Sequence, residues 1–209
     1  REYLDPVRYI SNESSGKQGY EIALALQKMG VKTKIIAGPS QLNNSKSLNI
    51  KKITTAQQMM SEVKKSLPVD IAICVAAVSD FKPSKINRNK IKKNLSNSKI
   101  IHLEKNPDIL DFLGKNNKNR PKIVVGFSAE TKNVIQNSKL KMREKHCDLM
   151  VANDVSINSL GFNSDYNQVS IIDKNGKVQL IPKNKKSYIA NVIAKIILDK
   201  LLVDDKNIN

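Results

Sequence analysis

A small polar turn near the start of the chain has the composition of an anion-binding loop. Residues 11–19 read SNESSGKQG and lead into the apolar helical pattern YEIALALQKMG. Ser14, Ser15 and Gly16 would present backbone N–H groups at the start of a helix, where the helix dipole favours negative charge. We therefore predict that this turn binds a phosphate through its backbone. A serine-rich helix cap without a ligand is the alternative.

The turn departs from the two common phosphate-loop motifs. A Walker loop needs Gly, four residues and then Gly-Lys-Ser/Thr, but Ser11 holds the first glycine position and Gln18 follows the lysine. The dinucleotide motif GxGxxG is also missing, since only Gly16 and Gly19 fit. Lys17 is therefore not expected to serve as a γ-phosphate lysine.

Two further groups have the chemistry of a nucleotide site. The basic stretch 82–99 is poor in apolar anchors and is predicted to be a mobile loop. Its lysines Lys90, Lys92 and Lys93 could neutralise a triphosphate, or could form an ordinary solvated basic loop. Asp80 follows an apolar run and could bind a ribose hydroxyl or Mg²⁺, or cap a surface turn. Neither His102 nor His146 has a catalytic setting.

Alternating strand and helix patterns would bring these groups to one edge of a sheet. Such an alternation predicts an α/β fold with a Rossmann-like, doubly wound and mostly parallel sheet. Ligands in such sheets bind outside the carboxyl ends of the strands. The strand patterns lie at 33–38, 50–54, 70–78, 122–130 and 148–154, and the helical patterns at 17–29, 55–67, 106–116 and 131–146.

The C-terminal part of the sequence follows a different pattern. Residues 168–173 and 177–182 flank an Asn-Gly pair and predict a β-hairpin. An amphipathic helix is predicted at 186–202, and we expect one domain over 1–203 with a disordered tail at 204–209. A doubly wound domain usually opens on a strand that leads into its first glycine turn. We therefore expect the chain to be a fragment that lacks its first strand.

Composition narrows the possible partners. The formal net charge of +17 favours anionic partners: nucleic acid, a membrane surface or phosphorylated small molecules. Aromatic residues are only 4% of the chain, too few for extensive base stacking, and no apolar run reaches the roughly 20 residues of a membrane span. We expect a cytoplasmic protein with buried, reduced Cys74 and Cys147.

Six motifs in a fixed order resemble one enzyme family. They are DPVRYISNESSGKQG, AAVSDFKP, KIKK, EKNPDIL, VVGFSAET and LMVANDVS…GFNSD. Together they resemble the phosphopantothenoylcysteine synthetase domain of the bacterial bifunctional coenzyme A biosynthesis proteins, from Arg1 to about Leu202. The resemblance implies an acid–amino-acid ligase that joins 4'-phosphopantothenate to L-cysteine with CTP and Mg²⁺. It implies a phosphopantothenoyl-cytidylate intermediate and the release of CMP and pyrophosphate.

The resemblance also assigns roles to residues. Asn12 would hold the acyl-cytidylate near its carbonyl, Arg8 belongs to the same motif, and Lys90 would bind the triphosphate from a mobile flap. Asp80 would contact the nucleotide and is the candidate metal ligand. The other nucleotide-pocket residues that the resemblance implies are Ser14, Ser15, Gly16, Asn106, Pro107, Asp108, Ile109, Phe127, Lys141 and Lys145.

The resemblance further implies a homodimer, for which the hairpin 168–182 is the candidate contact because its strands would otherwise leave an exposed edge. It also implies a fused or associated flavin-dependent decarboxylase domain, and neither a membrane nor a nucleic acid as partner. Three alternatives stay open at this point: an ATP-using version of the ligase, a basic nucleic-acid-binding domain, and a Rossmann-type oxidoreductase. The missing GxGxxG motif disfavours the last of these.

Overall fold

The structure is a computed structural model that describes residues 1–40, 47–92, 100–115, 118–156 and 164–206. Its helices are α1 Lys17–Lys28, α2 Ala56–Ser66, α3 Ile109–Lys115, α4 Val134–Glu144 and α5 Lys186–Lys206. Its strands are β1 Glu2–Tyr3, β2 Tyr9–Ile10, β3 Lys34–Ala37, β4 Asn49–Lys52, β5 Ile71–Cys74, β6 Phe81–Pro83, β7 Leu103–Lys105, β8 Ile123–Glu130, β9 Leu149–Asp154, β10 Tyr166–Asp173 and β11 Val178–Lys185.

The central sheet has the strand order β11-β10-β9-β8-β5. Strands β5, β8 and β9 are parallel, and the antiparallel hairpin β10–β11 extends them on one side. At the hairpin turn, Gly176 has φ 78°, and the Asp173 carboxylate accepts hydrogen bonds from the N–H groups of Asn175 and Lys177. The predicted α/β fold with a parallel sheet and a C-terminal hairpin is confirmed.

Strands β3 and β4 form a separate parallel pair. Within the described ranges, no ladder joins this pair to the five-stranded sheet. Strand β5 is therefore an outer strand, and its residues are only half-buried. The strand pattern at 70–78 is confirmed only in part, since the strand ends at Cys74.

Helices cover both faces of the central sheet. Side chains of β8 point to opposite faces in turn, so that Ile123 and Val125 face α1 and α5 while Val124 faces α2, α3 and α4. Ile193 of α5 and Met150 of β9 lie at the centres of the two layers and are at most 1% exposed. Complete burial of an aliphatic side chain of this size contributes roughly 1.5–3 kcal/mol, so these two layers dominate the stability of the fold.

The ends of the helices follow from local hydrogen bonds. Thr55 caps α2: its hydroxyl accepts from the N–H of Gln58 at 3.2 Å, and the Gln58 side chain accepts from the N–H of Thr55 at 3.2 Å. Helix α5 continues to Lys206, four residues beyond the predicted end at residue 202. Residues 207–209 lie outside the described ranges.

Two short antiparallel sheets were not predicted. Strand β1 pairs with β2, and β6 pairs with β7. The basic segment predicted as a loop over 82–99 therefore begins inside a strand, because Lys82 and Pro83 belong to β6. Its residues 93–99, including Lys93, lie outside the described ranges.

Candidate functional site

The loop that follows β5 is where three of the predicted site segments meet. The Asn12 side chain donates through Nδ2 to the carbonyl of Val78 at 3.1 Å. The Asn106 side chain donates to the carbonyl of Ser79 at 2.9 Å, and its backbone N–H donates to the carbonyl of Asp80 at 2.9 Å. Asn12, Asp80 and Asn106 are thus held together at the carboxyl end of β5, where an open α/β sheet binds its ligands.

The bonds of Asn106 also set where α3 begins. The helix begins at Ile109 rather than at 106, because the Asn106 backbone is bonded to the β5 loop. The carboxylate of Asp108 accepts from the N–H of Asp111 at 2.9 Å and so caps the first turn. Pro107 is half-buried, and the Ile109 side chain packs in the core on the α2–α4 face. Of the stretch 106–109, Asn106 and Asp108 therefore carry the polar side-chain chemistry.

The polar turn before α1 has the backbone conformation of a tight cap. Gly16 adopts the left-handed conformation with φ 74°, which glycine tolerates without a steric penalty. The hydroxyls of Ser14 and Ser15 accept from the N–H groups of Gly16 and Lys17 at 3.3 and 3.4 Å. Lys17 forms an ion pair with Asp165, so its ammonium group is directed at the residue before β10.

An ion-pair cluster joins α3 to the end of α4. The Lys145 ammonium lies 2.9 Å from the Asp108 carboxylate and 3.6 Å from that of Asp111. The neighbouring Asp108 carboxylate raises the pKa of Lys145 above its ordinary value. Burial alone would raise the pKa of Asp108, but its bonds from the Asp111 N–H and from Lys145 hold it below the ordinary value. Lys141 lies one turn earlier on α4.

Phe127 lies on the other face of the sheet from this cluster. It is half-buried against the core layer of α1 and α5, whereas α3 and α4 cover the opposite face. The adjacent Gly126 faces α3, since a Cβ built there would meet Leu110 and Met150 at 2.9 Å. The structure therefore does not bring the side chains of Phe127, Lys141 and Lys145 together.

Arg8 forms an ion pair with the buried carboxylate of Asp5. Its Nε and Nη2 atoms donate to Asp5 Oδ2 at 2.9 and 2.5 Å, and Nη2 also donates to the carbonyl of Ile91 at 2.9 Å. Asp5 is fully buried, while the Arg8 side chain is 47% exposed. The hydrogen bonds from Arg8 hold the pKa of the Asp5 carboxyl well below its ordinary range. Lys90 precedes Ile91 and is exposed.

Asp5 was missed by the sequence analysis. The sequence contains a local signal, because an Asp side chain often accepts hydrogen bonds from the backbone N–H groups two and three residues later and so forms a turn. Asp5 Oδ1 accepts from the N–H groups of Val7 and Arg8, both at 2.9 Å. Asp5 also makes a contact with a residue distant in the sequence: the N–H of Ile91 donates to Oδ2 at 3.1 Å.

Some buried polar atoms have no hydrogen-bond partner within the described ranges. Asn106 Oδ1 is one of them and lies next to Asp80 and Ser79; Asn153 Oδ1, at the end of β9, is another. Buried polar atoms are almost always bonded to protein or water. Acceptors of this kind at a sheet's carboxyl edge are expected where a ligand or an ordered water binds.

Asp80 is the candidate metal ligand at this edge. It is exposed, and the described residues contain no group of three or more His, Cys, Asp or Glu side chains that could hold a metal ion. Mg²⁺ commonly binds through one or two carboxylates together with water and substrate phosphates. Asp80 fits that mode, in which nucleotide phosphates would supply further oxygen ligands. Among the described helices, none is long and apolar enough to cross a membrane.

Residues 1–201 match the protein family described as the DNA/pantothenate metabolism flavoprotein C-terminal domain. The chain belongs to this family. The coenzyme A biosynthesis bifunctional protein CoaBC of Borreliella burgdorferi is 42% identical over 198 residues, which make up 94% of this chain and 49% of that protein. CoaBC of Haemophilus influenzae is 40% identical over 198 residues, with the same two shares.

The fold comparison agrees with the family assignment. The crystal structure of the C-terminal domain of CoaBC superposes with a TM-score of 0.79 at 33% identity, covering 98% of this chain and 91% of that chain. The resemblance drawn from the six motifs is confirmed at the level of the family. This chain spans about half the length of the curated relatives that it matches.

Proposed function

We propose that this chain is the phosphopantothenate–cysteine ligase part of a coenzyme A biosynthesis protein. Its family and its relatives named as coenzyme A biosynthesis bifunctional proteins support this proposal. The structural observation that carries it is the assembly of Asn12 and Asn106 on the loop that bears Asp80. The fold binds ligands at this edge, and the residues gathered there are those that the motif resemblance assigns to the acyl-nucleotide.

The reaction that we propose uses CTP to activate a carboxylate. The phosphopantothenate carboxylate attacks the α-phosphorus of CTP, pyrophosphate leaves, and a phosphopantothenoyl-cytidylate forms. The cysteine amine then attacks the acyl carbon, CMP leaves and the amine loses a proton. Both steps build negative charge on phosphate oxygens, which positively charged groups at the site must stabilise.

The side chains then divide the work. The Asn12 amide, held in place by Val78, would lie against the acyl group. Asp80 and Asn106 would contact the nucleotide, and Asp80 would hold Mg²⁺, which would supply positive charge at the site. Lys90 would bind the triphosphate. The turn Ser14–Gly16 would bind phosphate through its backbone, and Asp108, Lys141 and Lys145 would line the pocket beside α3.

Two features of the whole protein follow as part of the same proposal. We infer a homodimer in which β11 takes part, because β11 pairs only with β10 within the described ranges and its Leu180 is 59% exposed. Light scattering on the full-length protein should give twice the subunit mass, and a monomer at micromolar concentration would refute this. We also propose a fused or associated flavin-dependent decarboxylase domain, which the motif resemblance implies and with which the word bifunctional in the relatives' names agrees.

The decisive experiment measures the ligase reaction of the full-length gene product. With CTP, Mg²⁺, 4'-phosphopantothenate and cysteine, we expect pyrophosphate, CMP and a product with the mass of phosphopantothenoylcysteine. Absence of all three products would refute the proposed function. Faster turnover with ATP would replace CTP as the co-substrate.

Asn12→Ala tests the placement of the acyl group. Loss of a preorganised donor at a reacting carbonyl typically lowers kcat by roughly 10²–10³-fold. Asn191→Ala is the matched control, because Asn191 also donates to a backbone carbonyl but lies exposed on α5. Equal activity of the two variants would remove Asn12 from the site.

A further inference from the structure

The described part of the basic segment that follows β6, residues 84–92, is tied to the N-terminal turn at two points. The N–H of Asn87 donates to the carbonyl of Leu4 at 2.9 Å. Four residues later, the N–H of Ile91 donates to Asp5 and its carbonyl accepts from Arg8. One tie precedes Lys90 in the sequence and the other follows it, and the second fixes the backbone of the next residue, Ile91.

The second tie is made by the Asp5 carboxylate, which accepts an unusually large number of hydrogen bonds. Asp5 is fully buried and accepts five hydrogen bonds, from the N–H groups of Val7, Arg8 and Ile91 and from two nitrogens of the Arg8 guanidinium. A buried charge persists only when it is paired and hydrogen-bonded. The Asp5–Arg8 pair therefore holds both backbone groups of Ile91 in one arrangement.

The same turn continues directly to Asn12. Arg8 is followed by β2, which pairs with β1, and two residues after β2 the Asn12 side chain is bonded to Val78. Residues 4–12 thus form one connected unit, bonded to the β5 loop at one end and to the segment around Lys90 at the other. Any displacement of Ile91 would be transmitted to Lys90, its immediate neighbour.

We infer that Asp5 is a positioning residue that, through Arg8 and the backbone of Ile91, sets the location of the Lys90 ammonium relative to Asn12. The inference rests on the proposed function for what Lys90 binds, but the tie itself is a property of the fold. Arg8 acts in this arrangement by holding Ile91 rather than by contacting substrate.

The kinetic test is a double-mutant cycle in the full-length gene product. Asp5→Asn should lower kcat/KM for CTP by about tenfold, within the range of coupling between residues that share one network. In a Lys90→Ala background the same substitution should change kcat/KM by less than twofold, because the residue through which it acts is gone. Asp70→Asn is the control, since Asp70 is a carboxylate with a 72% exposed side chain.

A second variant guards against misfolding of Asp5→Asn. Arg8→Lys keeps a positive charge beside the buried carboxylate but loses the guanidinium group that bonds Asp5 and Ile91 at once. It should show the same loss and the same dependence on Lys90. If the effects of Arg8→Lys or Asp5→Asn multiply with that of Lys90→Ala, their role is structural and the inference is overturned.

A readout that needs no activity separates this inference from the proposed function. Amide hydrogen exchange at Ile91, followed by NMR or mass spectrometry, should be protected in the wild type and accelerated at least tenfold in either variant. If the wild type proves inactive as a ligase, the proposed function fails, and unchanged exchange at Ile91 would still overturn the tie independently.

Discussion

Gly114→Ala should destabilise the protein, although in most helices this change is favourable. Gly114 lies in α3, and a Cβ built there would lie 1.9 Å from the carbonyl oxygen of Lys145 and 3.2 Å from that of His146. Real Cβ contacts stay beyond 3.0 Å, so the helix or the end of α4 must move by more than 1 Å. The obstructing atoms belong to the backbone, and a change of rotamer cannot remove them.

Two opposing effects decide the sign of the change in stability. Replacing glycine by alanine inside a helix gains about 1 kcal/mol of helix propensity. Overpacking a filled interior costs about 1–3 kcal/mol, and more where backbone must shift. The shift would also stretch the bonds that Arg120 makes to the carbonyls of Gly114 and His146, now at 2.9 and 2.8 Å. Because backbone must shift here, we take the upper end of that cost, about 3 kcal/mol, and after the gain of about 1 kcal/mol we expect a net loss of about 2 kcal/mol in the free energy of unfolding.

Urea denaturation of Gly114→Ala measures this loss, and a thermal scan should show a melting temperature lower by roughly 4–8 °C for a chain of this size. Gly38→Ala is the matched control, since a Cβ at Gly38 would meet nothing within 4 Å. Its melting temperature should be unchanged or slightly higher. A Gly114→Ala protein as stable as the wild type, with an unchanged m value, would refute the packing argument.

Three further predictions concern stability and thiol chemistry. Asp148→Asn should lower the free energy of unfolding by about 3 kcal/mol. It removes a carboxylate that is 1% exposed and that pairs with Arg120 at 2.8 Å and with Lys174 at 2.6 Å. A shift of the urea midpoint equivalent to less than about 1 kcal/mol would contradict this prediction. Thr55→Ala should cost about 1 kcal/mol through loss of the α2 cap, read from the same urea midpoints, whereas an unchanged midpoint would show that the cap is dispensable. Burial raises the pKa of Cys147 to about 12 from 9.0, so the folded protein retains a proton that the unfolded chain loses, and stability should be full below pH 9 and fall between pH 9 and 12. Cys147→Ala should flatten that fall in urea titrations, and an equally steep fall in the variant would exclude Cys147 as its cause.

The long elements could be predicted because burial leaves a periodic trace in the sequence. The first four residues of β8 and of β9 are buried, with helices on both faces of the sheet, and the observed bounds of the two strands agree closely with 122–130 and 148–154. The run at 70–78 has the same composition, yet only Ile71–Cys74 forms a strand. Composition reports hydrophobicity but not whether a neighbouring strand is present to pair with each side.

The short elements could not be predicted for a related reason. Strands β1, β2, β6 and β7 contain two or three residues each, which is too few to show an alternation. Strands β6 and β7 are held by ladders between residues about twenty positions apart, such as Phe81 with Lys105. The burial of Asp5 depends likewise on Ile91, whose distance along the sequence hides the contact.

The placement of Phe127 could have been predicted more sharply than it was. Residues two apart on a strand share a face, so Phe127 must face the same layer as Val125, while Ser128 must face α4. Ser128 indeed bonds Ser138 of α4 at 2.6 Å. A motif resemblance treats VVGFSAET as one binding segment, but strand geometry divides its side chains between two faces.

The motif DPVRYISN likewise combines residues that stabilise the turn with a residue that is a candidate for the site. The buried carboxylate of Asp5 is paired with the partly exposed guanidinium of Arg8, while Asn12 is exposed at the end of the motif and held by Val78. If Arg8 left Asp5 in order to bind a substrate, the buried Asp5 carboxylate would lose its charged partner, which is unfavourable. Under the proposed function, Arg8 therefore stays paired with Asp5, and the exposed Lys90 is the candidate cation for binding the polyphosphate. On this proposal, the Asp5–Arg8 pair supports the site without contacting the reacting atoms.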